Sequence, residues 1–357
     1  MGKMIAIVYS EQMKNYDFGP GHPFRGDRYA NFMKLLREKV SDFELVESRY
    51  ASDEELFLVH DKSYVDFLEG TSKGIWLPSA RFLSPDTPLQ LGIGRAARLI
   101  VGASLTAGEL VREGKFTRAV GVGGGMHHAR SNYGAGFCIY NDVAICVKNL
   151  IRKYGLERIL ILDTDAHAGD GTCQIFYQDP KVLFIDLHQD PRTLYPGTGF
   201  SSEIGAEEGR GYTVNVPLPP GASDAAYEYV LDEILAPLVE EFRPQIIVRN
   251  GGSDPHFADE LTHLGLTFEG LRMIGRKVRE VADKVCGGKS VDLICSGYNP
   301  RVLPSGWLAL VSGLAQLEIE LEEPFLFSLK TDCELDETKK VVQEVKENLR
   351  EYWRCLA

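Results

Sequence analysis

The chain has 357 residues, of which 44% are hydrophobic and 25% are charged, and its formal net charge at pH 7 is −12. This composition is typical of a globular protein, and no apolar run approaches the roughly 20 residues of a membrane span. The negative charge argues against a nucleic-acid partner and mildly favours cationic ligands. The seven cysteines show no Cys-x-x-Cys spacing, and the N-terminus reads as a strand rather than a signal peptide, so we expect reduced thiols and a cytoplasmic protein.

Strands and helices alternate along the chain, which predicts an α/β fold around a central, mainly parallel sheet. In the first half, a strand is predicted from Ile5 to Val8 and an amphipathic helix from Asp27 to Val40. A long helix rich in small residues is predicted from Gly92 to Val111, and Gly155 is expected to end the helix that follows Asp142. A long amphipathic helix is predicted from Ser223 to Phe242.

Several predicted strands end in glycines followed by polar side chains. The ligands of parallel sheets gather beyond the carboxyl ends of their strands, so chemistry is expected at these positions. The polar groups that follow such strands are His127 and His128, Asp163 with Asp165 and His167, Asp254, and Tyr298.

The stretch from Ile159 to Gly171 carries the strongest signal. A buried apolar strand changes abruptly into two carboxylates and an imidazole. Side chains two apart on extended chain point the same way, so Asp165 and His167 are predicted to chelate one metal ion, with Asp163 or Asp170 behind them. The alternative is that Asp163 caps the next helix and His167 is a satisfied polar residue.

The segment from Gly121 to His128 allows two interpretations. Gly121, Gly123 and Met126 follow part of a dinucleotide-binding pattern, but the third glycine is absent and two histidines occupy the turn. We therefore predict glycines that bring the backbone close to a ligand, together with two groups that titrate near neutral pH.

No linker or break in composition divides the chain, so a single domain over residues 1–357 is predicted. Within it, residues 315–357 are expected to form a terminal cover without chemistry. This cover consists of a strand from Phe325 to Ser328 and a charged helix from Glu337 to Tyr352.

Six motifs together resemble the zinc-dependent histone deacetylase superfamily, and within it the bacterial and archaeal acetoin-utilisation-type deacetylases. The resemblance runs from about His22 to Leu314. The motifs are Gly125 to Ala129, Gly136 to Asp142, Asp163 to Thr172, Leu194 to Gly199, Gly252 to Asp259, and Ser296 to Pro300. The chain departs from the family's usual residues at Ala168, Asn250 and Ser296.

The resemblance implies an arginase/deacetylase-like fold with three layers, α/β/α, and one zinc ion held by Asp165, His167 and Asp254. Three protein ligands leave the metal a position for water, which zinc acidifies. This chemistry suits the hydrolysis of an amide.

The resemblance also implies roles for the remaining polar residues. His128, paired with Asp170, is the expected general base, and His127, paired with Asp163, is expected to tune the charge and to act as an acid. Tyr298 is expected to donate a hydrogen bond to the developing oxyanion.

Further positions are implied by the resemblance alone. The residues expected to contact the substrate are Phe137, Tyr195 and Leu261 as walls of an acyl-lysine tunnel, Gly136 beside them, and Asp86 as a partner of the substrate backbone. The residues expected around a structural potassium ion are Asp163, Asp165, His167, Leu187 and Asp186, which replaces the usual serine.

The implied activity is removal of acetyl or other short acyl groups from acetyl-lysine in proteins or peptides. A related amidohydrolase acting on acetylated polyamines or other small acyl amides or esters is the alternative. A phosphatase with an Asp-x-Asp motif is disfavoured because His167 stands where such enzymes carry a small β-branched residue. A non-enzymatic acyl-lysine-binding protein is disfavoured as well, because such a protein would be expected to lack Tyr298 or one of the histidines, and all of them are present. The expected partners are acetylated lysines or acetylated small amines, without nucleic acid or membrane, and the oligomeric state is left open.

Overall fold

The computed structural model describes residues 5–72, 81–325 and 333–357. The strands are β1 (Ala6–Tyr9), β2 (Glu44–Glu47), β3 (Arg118–Val122), β4 (Ile159–Asp163), β5 (Val182–Gln189), β6 (Thr213–Leu218), β7 (Ile246–Gly251) and β8 (Ser290–Ile294). The helices are α1 (Asp27–Lys39), α2 (Asp53–Leu56), α3 (Lys62–Ser72), α4 (Ile93–Arg112), α5 (Asp142–Tyr154), α6 (Asp170–Phe176), α7 (Asp224–Val230), α8 (Ala236–Phe242), α9 (Phe268–Cys286), α10 (Leu303–Ala315) and α11 (Cys333–Leu349). The predicted α/β class is confirmed.

Contacts between residues group the chain into two compact units. The first unit contains β1 to β3 and α1 to α5, together with Asp170–Ile175 and Val291–Cys295. The second unit contains Glu157–Gly169, Phe176–Ser290 and the described part of Ser296–Ala357. The single domain and its terminal cover stay predictions.

In the first unit the strand order is β2-β1-β3-β8. Strand β1 pairs in parallel with both β2 and β3, and α4 packs against β1 and β3. Gly121 of β3 permits this packing, because a Cβ there would lie 2.9 Å from a methyl carbon of Leu293 and 3.5 Å from the backbone of Ser104. The strand and the small-residue helix therefore approach each other closely.

In the second unit the strand order is β7-β4-β5-β6, and the pairs of β4 with β5 and with β7 are parallel. All residues of β4 are buried, including four large aliphatic side chains that each stabilise the fold by roughly 1.5–3 kcal/mol. The register places Asp163 beside Asp186 on one side and beside Asn250 on the other. Polar residues thus meet at the carboxyl edge of these strands, as the sequence predicts.

Most predicted boundaries agree with the structure to within a few residues. Asn141 caps the start of α5, and Gly155 ends it in the left-handed conformation, with φ of 65°. The helix predicted from Ser223 to Phe242 is interrupted by a π-helical turn, Leu231–Leu235, between α7 and α8. The strand predicted from Phe325 to Ser328 lies, beyond Phe325, outside the described residues. In the described part of the chain, no helix is long and apolar enough to cross a membrane.

Candidate metal centre and histidine pair

A buried cluster of metal-ligand type lies in the second unit. One ligand atom from each of Asp165, His167 and Asp254 lies within 4.8 Å of the others. Nδ1 of His167 lies 3.0 Å from Oδ1 of Asp165 and 3.2 Å from Oδ2 of Asp254. Asp165 and His167 follow β4, and Asp254 follows the neighbouring strand β7. The predicted convergence of the three residues is therefore observed.

Two glycines at the end of β7, Gly251 within the strand and Gly252 after it, let the backbone segments of the cluster approach each other. Gly251 has φ of 135°, and a Cβ there would lie 2.8 Å from the backbone nitrogen of Asp165. A Cβ on Gly252 would lie 2.0 Å from the carbonyl oxygen of Ser296. Any larger residue at either position would force backbone atoms around Asp165 or Ser296 to move, close to the side chains of the cluster.

Two hydroxyl groups hold Asp254, one at its side-chain carboxylate and one at its backbone carbonyl group. Oγ of Ser296 donates to Oδ1 of Asp254 at 2.6 Å, and the hydroxyl of Thr262 donates to the Asp254 carbonyl oxygen. Asp165 is fixed in a different way, since its Oδ1 accepts a hydrogen bond from the backbone N–H of His167 at 2.8 Å. Both carboxylates are therefore oriented before any ligand arrives.

The electrostatics of the cluster favour a cation. Burial lowers the pKa of His167, but hydrogen bonds to Asp165 and Asp254 and their negative charges outweigh burial and raise this pKa to about 10. Burial, followed by the neighbouring charge of Asp165, raises the pKa of Asp254. Two buried carboxylates side by side are costly unless positive charge compensates them. A divalent ion in place of the imidazole proton would supply that charge.

Tyr298 lies beside the cluster. Its ring centroid is 6.3 Å from that of His167, with the rings perpendicular. Its backbone N–H donates to Oδ2 of Asp259 at 2.8 Å, and the other carboxylate oxygen accepts from the N–H of Leu261 at 2.9 Å. Burial raises the pKa of Asp259 to about 6, although the two hydrogen bonds act to lower it. Asp259 thus fixes the backbone of Tyr298.

The two adjacent histidines lie in the first unit, and both are buried. Nδ1 of His128 lies 2.7 Å from Oδ1 of Asp170, whose other oxygen accepts from Arg130 at 2.8 Å. Burial raises the pKa of Asp170, but His128 and Arg130 outweigh this effect and lower it to about 2. Nε2 of His127 lies 3.1 Å from Nε2 of His128. The predicted pairing of His128 with Asp170 is therefore observed.

The backbone of the histidine segment is held by the residues that begin α5. Nδ2 of Asn141 donates to the carbonyl oxygens of His127 and Ala129, at 3.3 Å and 3.0 Å. The carboxylate of Asp142 accepts from the N–H of Met126 at 2.8 Å and from that of Gly125 at 3.1 Å. Four backbone groups around the histidines are thereby fixed by two neighbouring side chains.

The residues predicted to contact substrate are distributed over both units. In the first unit, Gly136 has φ of 55°, its N–H donates to Oδ1 of Asp86 at 3.3 Å, and a Cβ on it would lie 2.3 Å from a ring carbon of His128. Phe137 follows with φ of 67°, and its ring centroid lies 4.6 Å from that of His22. In the second unit, Tyr195 is 44% exposed, whereas Leu261 is partly buried. Their contact with a substrate stays a prediction.

Asp186, predicted beside a potassium ion, has two protein partners in the second unit. Its carboxylate accepts from the N–H of Gly169 at 2.9 Å, and its other oxygen lies 2.8 Å from Nδ1 of His188. Burial lowers the pKa of His188, but the charge and hydrogen bond of Asp186 outweigh it and raise this pKa. The potassium ion stays a prediction.

Sequence reasoning assigned no role to four residues that hold the functional groups. These residues are Asn141, Asp142, Asp259 and Ser296. All four belong to motifs quoted above, and Asn141 followed by Asp142 at the start of a helix is a recognisable capping signal. The targets of Asp259 and Ser296 are far away along the sequence, so no local pattern could have indicated them.

Comparisons with known proteins point to a single family. The histone deacetylase domain matches residues 22–314. The chain is 40% identical over 364 aligned positions to a probable deacetylase of Archaeoglobus fulgidus, and the alignment covers 99% of each protein. It is 37% identical over 316 positions to the acetoin utilization protein AcuC of Staphylococcus aureus, covering 85% of this chain and 79% of that protein.

A solved structure supports the same relationship. The crystal structure of the HDA15 HD domain matches with a TM-score of 0.86 and 26% identity, covering 99% of this chain and 98% of that chain. The arginase/deacetylase-like fold implied by the six motifs is thus confirmed, as is the resemblance itself. The chain belongs to the histone deacetylase family, whose members are hydrolases.

Proposed function

We propose that this protein is a zinc-dependent amidohydrolase that removes acetyl or other short acyl groups from acetyl-lysine in proteins or peptides. One observation carries the proposal: in a chain of the histone deacetylase family, Asp165, His167 and Asp254 bring their ligand atoms within 4.8 Å of one another. Membership of the family supports deacylation, and the cluster supports a metal-dependent route.

The donor set fits zinc. Zinc binds imidazole nitrogen and carboxylate oxygen, and catalytic zinc sites commonly have three protein ligands and one position for water. Asp165, Asp254 and Nδ1 of His167 would hold the ion. When bound, zinc would acidify a water molecule and polarise the acyl carbonyl.

The protein's own groups would move the protons. With Nδ1–H of His128 donated to Asp170, Nε2 of His128 is the atom that would take a proton from the attacking water. His127, starting protonated, would give its proton to the departing amine nitrogen, and the proton taken by His128 would then pass to His127 across the 3.1 Å between their Nε2 atoms. Tyr298 would donate its hydroxyl to the acyl oxygen as negative charge develops there.

The proposed substrate follows from the lining residues and the charge. Phe137 and Tyr195 would enclose a slim methylene chain, and Asp86 would accept a hydrogen bond from the substrate backbone. The net charge of −12 would attract cationic carriers of the acyl group over long range. We propose the cytoplasm as the location of this activity.

A single screen tests the proposal. Purified protein is stripped with a chelator, reloaded with zinc, and assayed on acetyl-lysine peptides, acetylated polyamines and longer acyl-lysine peptides. We expect turnover of acetyl-lysine peptides that disappears on stripping and returns with zinc. Full activity in the stripped protein would contradict the metal-dependent route. A preference of tenfold or more in kcat/KM for acetylated polyamines, about 1.4 kcal/mol, would establish the small-amine alternative instead.

A further inference from the structure

Ser296 occupies a position at which the family often has glycine, and its hydroxyl contacts a ligand of the candidate metal centre. Oγ of Ser296 donates to Oδ1 of Asp254 at 2.6 Å, and both side chains are buried. The other carboxylate oxygen, Oδ2, is the one that lies 3.2 Å from Nδ1 of His167. The two oxygens of Asp254 therefore have different partners.

The backbone of Ser296 is anchored independently of this contact. Its carbonyl oxygen accepts from Nε1 of Trp307 at 2.8 Å and from the N–H of Ser253 at 2.9 Å. Trp307 belongs to α10 and is fully buried. Trp307 thus holds Ser296 in the core of the second unit. The hydrogen bond from Ser253 also ties Ser296 to the residue that precedes Asp254.

We propose that Ser296 is a positioning residue for Asp254: it holds Oδ1 so that only Oδ2 is presented to the metal. This inference rests on the proposed function. A hydroxyl donated to a buried carboxylate oxygen is a strong, charge-assisted hydrogen bond. It fixes the rotation of the carboxylate, and it occupies the oxygen through which Asp254 could otherwise bind the ion with both atoms.

The test measures metal binding rather than turnover. Ser296→Ala and Ser296→Gly both remove the hydroxyl. The second variant keeps the test possible if the Ser296→Ala protein does not fold. Ser312→Ala is the matched control, because Oγ of Ser312 is equally buried but donates to the Ala309 carbonyl oxygen, at 2.8 Å, within α10. Zinc affinity is determined by competition with a coloured chelator, and folding is checked by thermal unfolding.

We expect both Ser296 variants to bind zinc about 10–100-fold more weakly than the unmodified protein, as is usual when a partner of a metal ligand is lost. The Ser312→Ala protein should bind zinc as the unmodified protein does. Zinc affinity within twofold of the unmodified value in both Ser296 variants would overturn the proposal. Equal weakening in Ser312→Ala would overturn it as well, because general loosening of the core would then explain the effect.

Cobalt(II) provides a second readout. Its visible absorption weakens as coordination number rises, so release of Oδ1 in the Ser296 variants should lower the absorption of the cobalt-loaded protein. An unchanged spectrum would overturn the inference that Ser296 limits Asp254 to one oxygen. If the unmodified protein binds neither zinc nor cobalt, the proposed function itself fails, and this outcome is distinct from a failure confined to the Ser296 variants.

Discussion

The metal-ligand cluster and the histidine pair are fixed by different kinds of contact. In the cluster, functional side chains contact one another directly, with Nδ1 of His167 within 3.2 Å of both carboxylates. In the histidine segment, backbone groups are held by hydrogen bonds with the side chains of Asn141 and Asp142. Substitutions should therefore distinguish the two regions. We expect substitutions in the cluster to remove metal, and substitutions in the histidine segment to slow turnover while metal stays bound.

The largest expected effect is at the cluster. Asp254→Ala removes one of the three proposed ligands, and we expect Asp165 and His167 alone to be unable to hold the ion. We expect loss of measurable activity and of stoichiometric zinc, determined by elemental analysis of the purified protein. Asp232→Ala, which removes an exposed carboxylate on the π-helical turn, is the control. Full zinc content in Asp254→Ala would show that the ligand assignment is wrong.

Tyr298→Phe should come next. The substitution removes one hydroxyl, while the Tyr298 backbone keeps its hydrogen bond to Asp259. Loss of one oxyanion donor typically lowers kcat by about 10²–10³-fold, or about 2.7–4 kcal/mol. Steady-state kinetics should show this fall with zinc content unchanged. An unaltered kcat would assign the tyrosine a structural role.

Asp170 should affect stability in a pH-dependent way. Its pKa in the folded chain is about 2, below the ordinary value of 3.8, so its ionised form stabilises the fold fully above about pH 4, and this contribution is lost as pH falls toward 2. The lowered pKa corresponds to about 2 kcal/mol. Urea unfolding at several pH values should show Asp170→Asn less stable than the unmodified protein at pH 7. A stability difference that does not shrink between pH 5 and pH 2.5 would contradict this account.

The smallest expected effect is at Asn141. Asn141→Ser removes the donor Nδ2, so the contacts to the His127 and Ala129 carbonyl oxygens are lost, yet serine can still cap α5 and buries no charge. We expect kcat to fall about tenfold through displacement of the histidines, with KM and zinc content unchanged. A rise in KM as large as the fall in kcat, or a loss of zinc, would contradict the view that the histidine segment affects turnover alone.

The same distinction explains how much could be predicted from the sequence. The proposed ligands Asp165 and His167 follow a buried strand and are two residues apart, so local periodicity is enough to pair them, whereas Asp254 is indicated only by the family's motif. The contacts of Ser296 with Asp254 and of Asp259 with Tyr298 join residues about 40 positions apart. Such contacts depend on how loops pack after the strands end, which neither periodicity nor composition encodes. The π-helical turn between α7 and α8 is not predicted for a different, local reason: the spacing of its apolar residues is close to that of an ordinary helix.

The crowding around Gly251 and Gly252 bears on the interpretation of mutational scans of this protein. Neither residue contributes a functional side chain, yet a Cβ on either would lie within 2.8 Å of backbone atoms. In a saturation library screened for activity, both positions should tolerate substitution as poorly as the metal ligands do. A ranking of positions by intolerance would therefore place two glycines among the residues that do chemistry. We expect zinc retention measured across the same library not to separate the glycines from the proposed ligands, because disturbance of the cluster would also release metal. The contact distances around the two glycines do separate them.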